Sequence, residues 1–188
     1  MLLAFKRVCK YEGEVSVDLL ALEPVPLNLS KAVCLICGAK GVMARWQDCY
    51  ERNFTWEDGG EVINRLISID CLYCRSCKHS HALLPLAVTP YLSYSVTFIA
   101  KLILDWLERR WLVIEALCEH YKISVKTFWR LRRRFSVCAV LAYGLTSPKR
   151  GMKAAASVIT SEDIDGIDAL LSGFFDSAGR AFCQYCPP

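Results

Sequence analysis

The chain has 188 residues, 54% of them hydrophobic and 22% charged, with 11 cysteines and a formal net charge of +4. That length holds one ordinary domain or two small ones, which excludes a large enzyme with separate cofactor and substrate domains. The apolar content excludes a disordered chain. The charge is unevenly spread: residues 1–100 carry 10 basic and 10 acidic groups, residues 101–153 carry 12 and 4, and residues 154–188 carry 1 and 5. The whole positive excess lies between 101 and 153.

Residues 1–30 read as an N-terminal lead-in. Met1-Leu2-Leu3-Ala4-Phe5-Lys6-Arg7 places its charge after a very short apolar stretch and lacks the order of a secretory signal. Glu23-Pro24-Val25-Pro26 marks extended or weakly paired chain, because proline removes ladder donors. Across 31–88, short β-prone stretches such as Asn53-Phe54-Thr55-Trp56 and the run from Val62 to Ile69 alternate with turn signals. Asp58-Gly59-Gly60 between those two stretches predicts a hairpin. Pro85 and Pro90 punctuate a linker.

From residue 91 the apolar period becomes helical. Phe98, Ile99, Leu102, Ile103, Trp106 and Leu107 form one stripe, with Ser95 as its cap. A second helix is predicted over about 111–121, burying Ile114, Leu117, Cys118 and Tyr121, and a third from Val125 to about Tyr143, stopped by Gly144. Residues 146–158 read as a basic, flexible linker. Residues 159–188 read as an acidic C-terminal helix, with Ile164, Ile167, Leu170, Leu171 and Phe174 inward, followed by a tail. No apolar run approaches the roughly 18 residues of a membrane span; residues 98–107 are broken by Lys101 and Asp105. A cytoplasmic protein is therefore expected, with no membrane partner and with its thiols reduced.

Clustered cysteines in a reducing compartment point to a metal. Cys34-Leu35-Ile36-Cys37-Gly38 and Cys74-Arg75-Ser76-Cys77 are two C-x2-C knuckles, and each tight loop turns two sulfurs inward. Joined by a hairpin, they predict a zinc ribbon holding one Zn2+ per chain through Cys34, Cys37, Cys74 and Cys77. Cys71, Cys49 and His81 are alternative donors, and His79 is another spare nitrogen. Catalytic zinc needs an open position beside a general base, and no H-E-x-x-H is present. Cys118 and Cys138 fall on apolar helix faces and read as small core residues. Cys9 is unassigned, and Cys183 and Cys186 read as part of a structurally neutral tail.

The segment from Val113 to Arg130 has the grammar of a helix-turn-helix: small Ala116 at the crossing, Ile123 plugging the turn, Ser124 capping the next helix. In the third helix Val125, Phe128, Leu131 and Phe135 share one side, and Lys126, Thr127, Arg130, Arg133 and Arg134 the other. Such a helix suits the major groove of double-stranded DNA, with Arg130 placed to fork onto a guanine and the later arginines near phosphates. Trp129 is expected at the core margin or against the sugar-phosphate backbone.

The first knuckle, the stretch Cys74-Arg75-Ser76-Cys77-Lys78-His79-Ser80-His81-Ala82-Leu83-Leu84-Pro85, the later Pro90-Tyr91 and Tyr94-Ser95, and the helix-turn-helix over about 31–145 resemble one bacterial group. It is the zinc-ribbon and helix-turn-helix proteins known as domain of unknown function 6431, themselves similar to the N-terminal DNA-binding parts of insertion-sequence transposases. The resemblance implies Cys34, Cys37, Cys74 and Cys77 as zinc ligands and the helix from Val125 as the DNA reader. Lys78 departs from the glycine usual after the second knuckle. A transposase also needs spaced carboxylates for two metals. Here Glu162, Asp163, Asp165 and Asp168 crowd one short helix, so neither catalysis nor a small-molecule substrate is expected.

Together these features predict an α+β protein: a small β zinc ribbon (31–88), an α-helical helix-turn-helix domain (91–145), and a C-terminal helix. The expected function is zinc-stabilised DNA binding, transposon-associated or regulatory, with homodimerisation supplying a second half-site. The rival expectation is a zinc-ribbon protein-protein adaptor.

Overall fold

In the computed structural model of the chain, the described residues are 2–4, 34, 36–84, 88, 89, 92–108, 110, 112–143, 147–161, 166, 167, 169–171, 173 and 174. The readings of Cys9, of the proline-rich lead-in and linker, of Gly144, of Ile164 and its acidic neighbours, and of Cys183 and Cys186 fall outside them, as does the Cys49 side chain. The architecture is mixed α+β, a four-stranded sheet followed by helices.

Strands β2 (Met43–Asp58) and β3 (Glu61–Cys74) form a long antiparallel hairpin. Its tip is the predicted glycine turn. Asp58 pairs with Glu61, and Gly59 and Gly60 between them have φ of +56° and +90°, the left-handed backbone that a two-residue turn requires. Strand β4 (Ser80–Leu84) returns antiparallel to β3, and the short β1 (Leu2–Ala4) pairs parallel with β4, giving the order β1-β4-β3-β2. The pairing of β1 joins segments far apart in sequence, Leu2 opposite Ala82, so local pattern carries no trace of it.

The helical part packs around α1 (Val96–Leu107). Ser95 caps it as predicted, its Oγ accepting from the Phe98 N–H at 2.9 Å. Helix α2 (Ile114–His120) and helix α3 (Val125–Tyr143) follow. Leu117, Cys118 and Tyr121, then Phe128, Leu131, Phe135 and Cys138, join Phe98, Ile99, Leu102 and Ile103 in the main core. Ring contacts are edge-on between Phe98 and Tyr121 (5.4 Å) and between Trp106 and Phe128 (5.8 Å). Among the described residues, no helix is long and apolar enough to cross a membrane.

The predicted basic linker is corrected. Residues 148–159 form helix α4 (Pro148–Ile159), started by Ser147 and Pro148 and packed on α1 and α3 through Gly151, Met152, Ala155, Ala156 and Ile159. Three of the five inward residues, Gly151, Ala155 and Ala156, are small and give a weak hydrophobic signal, while Lys149, Arg150 and Lys153 are exposed. At Gly151 a Cβ would sit 3.4 Å from the Ala139 carbonyl oxygen, an ordinary van der Waals contact, so α4 packs close to α3 with room for a methyl group but little more. Beyond it, residues 166, 167, 169–171, 173 and 174 are helical, with Ile167, Leu171 and Phe174 buried in the same core.

Sheet and helices are joined at the hairpin. The Thr55 N–H donates to the Ser93 carbonyl, and the Ser95 N–H donates to the Thr55 carbonyl at 2.9 Å. Arg52 donates to the Leu92 carbonyl, and Lys101 pairs with Glu57. The β2–β3 hairpin thus supports the N-terminus of α1, while the opposite end of the sheet carries the cysteines.

Candidate metal centre and basic helix face

The two C-x2-C loops adopt the same backbone turn. In the first, the Gly38 N–H donates to the Cys34 carbonyl (2.8 Å) and the Cys34 N–H to the Ala39 carbonyl (2.9 Å). In the second, Lys78 N–H to Cys74 carbonyl and Cys74 N–H to His79 carbonyl are both 2.9 Å. Gly38 has φ +70°, and Lys78, where the first loop has glycine, has φ +63°. The missing glycine therefore leaves the turn intact, at the cost of holding a side chain in the left-handed region.

These twin turns bring Cys34, Cys37, Cys74 and Cys77 together, their sulfurs all within 4.8 Å of one another. Two approaches run across the loops: Cys34 Sγ to Cys77 Sγ is 3.5 Å and Cys37 Sγ to Cys74 Sγ is 3.7 Å. A tetrahedral ion with sulfur at about 2.3 Å separates its ligands by about 3.8 Å, so the quartet has the size of a four-thiolate metal site. Cys34 and Cys74 are fully buried, Cys77 half-buried and Cys37 exposed. The Cys37 backbone N–H holds the Cys34 thiol down at about 5 against the opposing effect of burial, with further help from the Ile36 N–H. Cys77 receives the His79 N–H, yet burial and the sulfurs of Cys34, Cys74 and Cys37 push it up to about 12. Four thiols packed this closely cannot all ionise without a cation between them, and a dication bound to all four would offset their mutual repulsion.

Of the alternative donors, Cys71 and His79 lie outside the quartet. Cys71 directs its thiol at the Ile69 carbonyl (3.9 Å), and the His79 ring lies against the Cys77 carbonyl (2.9 Å). His81 is different. It sits opposite Leu72 in the β3–β4 register, is fully buried, and places Nε2 3.4 Å from Cys34 Sγ. Sequence spacing raised it as an alternative donor; the structure puts it beside the sulfur quartet.

On α3 the Ser124 Oγ accepts from the Thr127 N–H at 3.1 Å and fixes the helix start. Residues 121–124 make the preceding turn, with Lys122 at φ +51° and Ile123 half-buried against the core. Lys126, Arg130 and Arg133 are exposed, whereas Thr127 and Arg134 are half-buried. Lys126, Arg130, Arg133, Val137 and Leu141 follow one another at three- and four-residue steps, making one outward line that is basic first and apolar later. Arg132 was not singled out from sequence. Its guanidinium lies over both Trp106 (4.7 Å) and Trp129 (5.2 Å), bracing the partly exposed Trp129 beside the basic line. The i,i+3 spacing of Trp129 and Arg132 was a legible sign; the contact with Trp106 was not.

Neither the curated proteins nor the solved structures yielded a match to this chain. Residues 34–112 match the family model of a domain of unknown function (DUF6431), which takes in both cysteine loops, the hairpin and α1 but stops before α2 and α3.

Proposed function

We propose that this chain is a zinc-stabilised DNA-binding protein, transposon-associated or regulatory, that reads duplex DNA with α3. The observation that carries this is the outward line of α3, where exposed Lys126, Arg130 and Arg133 stand opposite the buried Phe128, Leu131 and Phe135. A capped helix launched from a short turn and basic along its free side suits a major groove. In this proposal Arg130 forks onto a guanine edge, Lys126 and Thr127 reach neighbouring edges, and Arg133 and Arg134 meet phosphates. The metal is Zn2+, one per chain, held by Cys34, Cys37, Cys74 and Cys77, and its role is structural: four thiolates leave no open position for substrate. A second copy provides the other half-site, and no enzymatic step is involved.

A salt-titrated shift assay on random duplex DNA tests this. Log affinity is expected to fall with log salt at about 0.9 per phosphate contact, and the variant K126A/R130A/R133A to lose both affinity and slope. Undiminished binding by that variant refutes α3 as the reader. Exposed Val137 and Leu141 favour the rival reading, an adaptor that docks a protein partner. The absence of DNA binding by the zinc-loaded wild type would leave that reading standing.

A further inference from the structure

Buried sulfurs of a four-thiolate site need hydrogen-bond donors from the protein, because the site carries net negative charge and water cannot reach it. Exposed Cys37 has water available, whereas Cys34 is fully buried. Its backbone donors come from its own loop, the Cys37 and Ile36 N–H groups. The nearest side-chain nitrogen comes from another element, His81 of β4, with Nε2 3.4 Å from Cys34 Sγ.

His81 is itself fully buried, and its Nδ1 has no hydrogen-bond partner among the described residues. An imidazole enclosed with one nitrogen unsatisfied is costly unless the other makes a contact that matters. A metal-bound thiolate has no proton to give, so across this contact the hydrogen must sit on Nε2.

We propose that His81 donates its Nε2–H to the metal-bound thiolate of Cys34, as a positioning residue that retains the metal and shields that sulfur from electrophiles. The proposal rests on the four-cysteine assignment above. It ties metal occupancy to β4, the strand on which β1 pairs.

The test uses the full chain, 15N-labelled and loaded with 113Cd. The expected result is a protonated Nε2 on His81 with a resolved coupling to the cadmium through the hydrogen bond. A deprotonated Nε2 bonded directly to cadmium would make His81 a ligand and overturn the proposal. So would a protonated Nε2 without coupling. Lack of a four-thiolate cadmium resonance would instead refute the metal centre itself, a distinguishable failure.

Zinc transfer to a chelator adds a second readout. H81L is expected to lose zinc about tenfold faster than wild type, with alkylation rising selectively at Cys34, and H81Q, which keeps an N–H near the Nε2 position, to stay close to wild type. Equal rates in H81L and wild type, or alkylation rising equally at all four cysteines, would overturn the proposal.

Discussion

Tyr121 ends α2 at the point where the chain turns into α3, and its hydroxyl reaches across the core. The side chain is fully buried, and its Oη donates to Asp105 Oδ2 at 2.8 Å. Asp105 is 6% exposed and has Arg110 Nη1 3.4 Å from its other oxygen. Tyr121→Phe removes the hydroxyl without changing the ring, so the packing against Phe98 survives. What is lost is a hydrogen bond to a buried carboxylate, worth about 1.5–3 kcal/mol. We expect a loss of about 2 kcal/mol in urea unfolding of the full chain at pH 7. With Asp105→Asn the acceptor becomes neutral, and Tyr121→Phe should then cost only about 1 kcal/mol. A cost below about 0.5 kcal/mol in the wild-type background, or the same cost in both backgrounds, would refute the assignment of this pair as a charge-assisted tie. The pH dependence supplies a further check. Burial first, then the bond to Asp105, pushes the Tyr121 phenol above its ordinary value. Its contribution is therefore complete below the unfolded value of about 10 and is lost as pH rises beyond it. Phenylalanine cannot ionise, so the gap between wild type and Tyr121→Phe should narrow above pH about 10; parallel curves there would contradict the shift.

Three further outcomes are expected. Chelation should release the cysteine end of the sheet while sparing the helices. Among the described residues the buried cluster there is Cys34, Met43, Leu72 and Cys74, two of which belong to the cysteine quartet that could hold a metal. Hydrogen exchange should rise within 36–43 and 71–81 but not in α1 or α3, and uniform protection after chelation would contradict this. Lys78→Gly relieves the left-handed backbone, whereas Lys78→Ala retains it, so the glycine variant should be the more stable by about 1 kcal/mol in denaturant unfolding. At Gly151 an alanine Cβ would make an ordinary contact with Ala139. Gly151→Ala should therefore gain about 0.5–1 kcal/mol of helix propensity, and Gly151→Leu should lose about 1–3 kcal/mol by overpacking, both read from thermal unfolding.

Local chemistry was legible in the sequence because it repeats over short distances. C-x2-C spacing marked both loops, Asp58-Gly59-Gly60 marked the hairpin, and Ser95 and Ser124 marked the starts of α1 and α3. The alternation of Phe128, Leu131 and Phe135 with Lys126, Arg130 and Arg133 determined which side of α3 faces inward. Long-range geometry decided the rest. Helix α4 has an inward face of Gly151, Ala155 and Ala156, residues that become core only because α1 and α3 approach closely enough to need small partners. The left-handed turn at Lys78 hides behind a residue that does not advertise it. Cys71, Cys74, His79 and His81 were all plausible donors by spacing. Strand alternation and the β3–β4 register place Cys74 in the sulfur quartet and His81 against Cys34, and leave Cys71 and His79 bonded elsewhere. Residue type and spacing determine what a side chain can bind; pairing across the sheet decides which partner it meets.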